Sequence, residues 1–296
     1  MRELTLDLPQ GRFAALAWGD PAKPPLLALH GWLDNAASFA ALAPLLCAHF
    51  QVVAIDMLGH GRSVHAAPGN AYHFADGVLE ALDAADALGW RAFDLLGHSR
   101  GGGIAVLTAA ACPERIHRLV LIEAMGPIAT PAEQSAAQLQ RAARQIRDTA
   151  RKPLRVFATS EEAVEARANA SSLSTEGARQ IVLRGIRAVP GGYSWSSDAR
   201  LTIASLQRFT EAQVLDIVGA IKAPTLLLVA PDSAVKPVAE AAFAARIARV
   251  ADIDVCRIPG GHHLHLENPG PVAEAMLAFL QNRRSPAACG GEGSPT

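Results

Sequence analysis

A chain of 296 residues, half of them apolar, can bury a substantial core as two domains or as one large α/β domain with an insertion. Its 27 basic and 28 acidic side chains give a net charge of −1 and are scattered. That excludes an electrostatic footprint for nucleic acid or an anionic membrane and leaves a small neutral molecule as the expected partner. Met1 to Asp7 offers no basic leader segment and no apolar run reaches membrane-spanning length, so a cytoplasmic location is the expectation. Cys47, Cys112, Cys256 and Cys289 lack metal-like spacing, and the first three read as reduced, buried residues.

In chain order, Glu3–Leu8 and Arg12–Trp18 alternate about Pro9-Gln10-Gly11, which predicts a β-hairpin. Short apolar runs follow at Leu26–Leu29, Val52–Ile55, Phe93–Leu96, Arg118–Ile122, Thr225–Val229 and Asp254–Ile258. Such runs are expected of strands buried on both faces of a parallel sheet. Helical spacing separates them at Ser38–Cys47, Phe74–Leu88, Gly102–Ala111, Val238–Arg249 and Pro271–Leu280. The pattern predicts an α/β fold, a mostly parallel sheet covered on both faces. From Pro127 to Val218 the alternation stops. Gln134–Arg151, Ser160–Ala170, Thr175–Ala188 and Ala199–Phe209 read as helices with no buried strand between them. The expected organisation is a core of residues 1–126 and 219–283, a helical lid of 127–218, and a low-complexity, disordered tail of 284–296. A helical appendage that only adds stability is the alternative for the insertion.

Gly97-His98-Ser99-Arg100-Gly101 follows a strand-like run and opens a helix-like one, the context in which G-x-S-x-G presents a nucleophile on a sharp turn. A serine hydroxyl needs a base. Among ten histidines, His262 follows the last predicted strand in Gly260-Gly261-His262-His263-Leu264-His265, on the sheet edge that would hold Ser99. His263 and His265 are its rivals and otherwise read as polar loop residues. A His-His-x-His run without acidic or cysteine partners at the usual spacing is a weak metal signal, so neither metal nor cofactor is expected.

Four motifs taken together resemble the α/β-hydrolase superfamily: His30-Gly31-Trp32-Leu33-Asp34-Asn35, Asp56-Met57-Leu58-Gly59-His60-Gly61-Arg62-Ser63, the Ser99 pentapeptide, and Gly261-His262 followed by Glu267 and Pro269. Within it the chain is most similar to serine hydrolase-like proteins, and more distantly to haloalkane dehalogenases and epoxide hydrolases. Those two use an aspartate where this chain has Ser99, which disfavours their chemistry. The resemblance implies an oxyanion hole from the backbone N–H groups of Arg100 and Trp32. It also implies that His30 holds its loop and that Asp56 is structural. The usual triad aspartate falls on Ser233, so the acid is expected at Glu123, after the strand ending at Ile122, or alternatively at Asp232. Trp32 and Trp195 are candidate substrate contacts, and Trp195, with Asp198 and Arg200 paired, equally reads as an anchor of the lid.

The sequence thus points to a serine hydrolase acting on small to medium, largely apolar esters through Ser99, His262 and an acid. The same residues would serve a thioesterase or a C–C bond hydrolase. A slow-turnover binding protein of the same fold is the reading outside enzymes.

Overall fold

The computed structural model describes residues 1–149, 154–171, 173–231 and 240–282. β1 (Arg2–Leu8) and β2 (Gly11–Trp18) form the expected antiparallel hairpin, in which Gly11 takes a φ of 124° that a side chain would resist. β3 (Pro25–Leu29), α1 (Ala43–Leu46), β4 (Gln51–Ile55), α2 (Gly77–Ala87), β5 (Phe93–His98), α3 (Arg100–Ala111) and β6 (Ile116–Ile122) follow. An insertion then carries α4 (Ser135–Thr149), β7 (Val156–Phe157), α5 (Ser160–Ser171), α6 (Thr175–Gly185), β8 (Ile186–Val189) and β9 (Gly192–Trp195). The chain returns through α7 (Glu211–Gly219), β10 (Thr225–Val229), α8 (Glu240–Arg249), β11 (Ile253–Arg257), α9 (Leu264–Glu267) and α10 (Pro269–Asn282).

The main sheet has eight strands in the order β1-β2-β4-β3-β5-β6-β10-β11. β2 pairs antiparallel with β1 and β4, and every other pairing is parallel. Alternate residues feed opposite faces. Leu27, Leu29, Val53, Ile55 and Leu95 pack with Ala81, Ile104 and Val218 on one side, while Leu26, Ala28, Val52, Ala54 and Leu96 pack with Leu46, Val272 and Phe279 on the other. Burial on both faces explains why these strands are continuous apolar runs.

Four expectations are corrected. Ser38–Cys47 is not one helix but a 3-10 turn, Ala36–Phe39, and the single turn α1. Asn35 caps the first, and Pro44, lacking an N–H, sits in the first turn of the second. Ala199–Phe209 is helical only over Ala199–Thr202. Beyond it Gln145 accepts from the Ala204 N–H at 2.8 Å and Gln138 donates to the Ser205 carbonyl at 2.6 Å, so side chains of α4 take the place of intrahelical bonds. The insertion also holds a three-stranded antiparallel sheet, β7-β9-β8. Its strands are two to four residues long, too short and too exposed to give an apolar run. Cys47 and Cys112 are free but only half-buried, whereas Cys256 is buried. The expected tail, 284–296, lies outside the described residues, among which no helix is long and apolar enough to cross a membrane.

The insertion has an apolar cluster of Phe157, Val164, Ile181 and Val182 that includes Leu266 from α9. It is tied to loops at the carboxyl ends of the main strands. Asn35 donates to the Ile181 carbonyl at 2.8 Å, Trp32 Nε1 to the Leu201 carbonyl at 2.9 Å, and Ser174 bonds Glu267 at 3.0 Å.

Candidate active site

β5 ends at His98, and the chain turns so sharply into α3 that Ser99 is held at φ 49°, ψ −112°, a backbone state costly for a residue with a Cβ. Its surroundings enforce it. A Cβ on Gly97 would stand 2.5 Å from the Gly101 carbonyl oxygen, and one on Gly101 would stand 2.1 Å from that of Leu29. Only glycine at both places lets strand and helix approach this closely. Ser99 therefore projects at the carboxyl edge of the sheet, at the amino end of a twelve-residue helix.

On the same edge, β11 leads through Pro259 to His262, whose Nε2 lies 2.9 Å from Ser99 Oγ. The other ring nitrogen, Nδ1, lies 3.3 Å from Glu123 Oε2. Glu123 follows β6 with φ 53°. Its N–H donates to the Leu228 carbonyl at 2.9 Å and its Oε1 accepts from the Ala230 N–H at 2.6 Å. The carboxylate is thus fixed between β6 and β10 before it meets the imidazole. The structure brings Ser99, His262 and Glu123 together in hydrogen-bonding sequence. Asp232, the other acid considered, and Ser233 lie outside the described residues.

Among the described residues neither the Arg100 nor the Trp32 backbone N–H has a hydrogen-bond acceptor. Arg100 is the first residue of α3, where an N–H has no intrahelical partner and the helix dipole favours negative charge. The loop bearing Trp32 is held by His30, which donates through Nδ1 to the Gly31 carbonyl at 2.8 Å and accepts from the Met57 N–H at 3.0 Å through Nε2. Burial lowers the pKa of His30, which keeps it neutral for this double role. The Trp32 ring is half exposed, at 51%, and reaches the insertion through Leu201. The Trp195 ring packs edge-on against Phe157 at 5.0 Å, within the insertion's own core. Arg200 and Asp198 are paired at 2.6 Å, with Arg200 also donating to the Ala66 carbonyl at 2.6 Å. Arg200 thus ties the insertion to the loop after β4, while Trp195 packs inside the insertion.

Asp56 is structural and fully buried: it accepts from the Ala36 and Arg62 N–H groups at 2.7 and 2.8 Å and from Arg184 Nε at 3.0 Å. His263 and His265 are buried instead of being polar loop residues. His265 Nε2 meets Ser38 Oγ at 2.6 Å, and desolvation lowers its pKa to about 3. Of the three clustered histidines only His262 faces Ser99. Sequence reasoning missed Asp34, His98 and Arg167, which gather behind His262. The available signal was a histidine inside the G-x-S-x-G pentapeptide itself.

Residues 24–269 match the model of the α/β hydrolase fold family. The chain belongs to this family. As a member it is 31% identical over 287 residues to a serine hydrolase-like protein of Danio rerio, covering 94% of this chain and 88% of that one. The crystal structure of a hypothetical protein from Pseudomonas aeruginosa PAO1 is similar at 40% identity and a TM-score of 0.88, covering 95% of this hydrolase-fold chain and 99% of the other. A thioesterase domain from the curacin biosynthetic pathway is similar at 26% identity and a TM-score of 0.82, over 94% and 99% of the two chains.

Proposed function

We propose that this α/β hydrolase-fold protein is a serine hydrolase that cleaves carboxylic esters of small to medium, largely apolar substrates by acyl transfer. The observation that carries the reading is the 2.9 Å approach of His262 Nε2 to Ser99 Oγ with Glu123 on the far nitrogen of the same ring. Glu123 accepts a hydrogen bond from Nδ1–H, which keeps that proton on the ring and leaves Nε2 as the base. His262 takes the Ser99 proton as Oγ attacks the ester carbonyl, and the Arg100 and Trp32 N–H groups stabilise the oxyanion. The imidazolium then protonates the departing alcohol, leaving an acyl-serine. Water, deprotonated by the same imidazole, attacks that ester, and the proton returns to Ser99 as the acid leaves. No step calls for a cofactor. The structure similar to a thioesterase domain, which covers nearly the whole chain, favours acyl thioesters as the second substrate class.

The test is labelling of Ser99 by a fluorophosphonate, together with turnover of p-nitrophenyl esters of increasing acyl length and of the matching acyl thioesters. A serine adduct, with labelling and turnover both absent in Ser99→Ala, supports the reading, and the preferred leaving atom separates ester from thioester. No adduct and no turnover of either series would turn the reading toward a binding role.

A further inference from the structure

Behind the Ser99–His262 pair lies a second polar cluster that the proposed chemistry does not use. Asp34, in the loop after β3, His98, at the end of β5, and His263 are all buried. His98 Nε2 lies 2.9 Å from the carbonyl oxygen of His262. A carbonyl only accepts, so Nε2 carries the hydrogen and Nδ1 of the neutral ring is a lone pair. Nδ1 lies 3.7 Å from Asp34 Oδ2, and His263 Nε2 lies 3.3 Å from that same oxygen. Among the described residues His98 Nδ1 has no hydrogen-bond partner, and Asp34 Oδ2 has only the 3.3 Å approach of His263 Nε2.

Two lone pairs confronting each other in a buried place are costly. At 3.7 Å they are too close for a water to bridge, since two hydrogen bonds through it need more room. A metal ion fits the spacing better. Ligands at 2.0–2.1 Å in tetrahedral geometry are about 3.4 Å apart, between the two measured separations, and all three atoms fall within 4.8 Å of one another. The outer contacts match as well. Arg167 from α5 holds the other Asp34 oxygen, and the His262 carbonyl fixes the His98 ring, as the partners of metal ligands do. His265 stays outside the set because its Nε2 faces Ser38. A Cβ on Gly31 would stand 2.8 Å from His98 Nδ1 and 2.9 Å from Asp34 Oδ2, so glycine keeps the space between them open.

We propose that Asp34 Oδ2, His98 Nδ1 and His263 Nε2 form a binding site for one divalent transition-metal ion of the Zn²⁺ class. Two imidazoles and one carboxylate select such an ion over Mg²⁺ or Ca²⁺, which prefer oxygen ligands throughout. The site shares no side chain with the proposed triad, and its occupancy can be read without any assay of hydrolysis.

The experiment titrates the full chain, freed of metal, with Zn²⁺ against a chromophoric chelator, and with Co²⁺ followed by visible absorption. One ion per chain is expected. Affinity should fall at least about tenfold in Asp34→Asn and in His263→Gln and stay unchanged in His49→Gln and His117→Gln, whose side chains are exposed. Circular dichroism shows whether each variant is folded. Should Asp34→Asn unfold because Arg167 loses its partner, His263→Gln alone decides. Affinity unchanged in His263→Gln, or absence of stoichiometric binding, overturns the proposal and leaves His263–Asp34 as an ordinary ion pair.

Discussion

Glu123 reaches His262 from the end of β6, with 3.3 Å between Oε2 and Nδ1, while its second oxygen is held by the N–H of Ala230 just beyond β10. The carboxylate is therefore oriented by backbone and has one oxygen left for the imidazole. Glu123→Gln keeps the shape but offers an amide that can hold the wrong tautomer of the ring. Ester turnover should fall by about 10³- to 10⁴-fold in kcat, with KM little changed. Steady-state kinetics on a p-nitrophenyl ester check this. Near-normal turnover in Glu123→Gln beside a loss in Asp232→Asn would assign the acid to Asp232 instead.

The strands buried on both faces were legible because their apolar runs have one explanation, as in Leu26–Leu29 and Thr225–Val229. The elbow at Ser99 was legible because strand, glycines and helix appear in order. What stayed hidden depends on contacts distant in sequence. Ala204 and Ser205 are straightened by side chains of α4 about sixty residues earlier, and no local signal marks that. β8 and β9 pair with each other and with β7 in stretches too short to alternate visibly, although Pro190-Gly191-Gly192 marks their turn. The role of His98 escaped notice for the same reason. Its partners come from loops after β3 and β11, which only the folded sheet brings together.

Arg184 joins the insertion to the main sheet through an ion pair with Asp56 that is buried at both ends, its Nε 3.0 Å from the carboxylate, while its Nη1 lies 2.6 Å from the half-exposed Glu3. Arg184→Met would leave Asp56 charged, desolvated and short of a cation. Unfolding free energy should fall by about 3 kcal/mol. Arg12→Ala, which breaks the exposed Asp7–Arg12 pair, should cost under about 0.5 kcal/mol. Urea midpoints measure both, and similar losses in the two variants would contradict the argument.

Gly101→Ala places a methyl 2.1 Å from the Leu29 carbonyl oxygen, a backbone atom at the end of a central strand. Neither partner can rotate away, so α3 must shift relative to β3. The variant should lose about 3 kcal/mol of stability or more. The fraction that folds should label poorly with a fluorophosphonate, because the elbow at Ser99 moves with α3. Gly69→Ala is the control. Its φ of 87° strains alanine, but a Cβ there meets nothing within 4 Å, so the cost should stay near 1 kcal/mol, roughly that of a strained backbone alone. Thermal unfolding of the two variants separates overlap from backbone strain.

His30 and His60 are fully buried with rings 4.9 Å apart, edge to face. Burial, reinforced by His30 and Arg100, holds the His60 pKa well below 6.5 against the weaker pull of Asp34. Burial lowers that of His30 despite Asp56 and Asp34. Both stay neutral in the fold at pH values where they are protonated once unfolded. Below about pH 6.5 the unfolded chain binds more protons, so stability is complete above that value and is lost as pH falls toward the folded pKa. The slope approaches about 1.4 kcal/mol per pH unit for each histidine. Glu80, which accepts from the Leu58 N–H and whose pKa is raised by burial, acts in the opposite sense, so a difference measurement is needed. Urea unfolding from pH 7.5 to 5 should show a shallower decline for His60→Gln than for the parent. Parallel curves would mean that His60 is protonated in the fold as readily as in the unfolded chain.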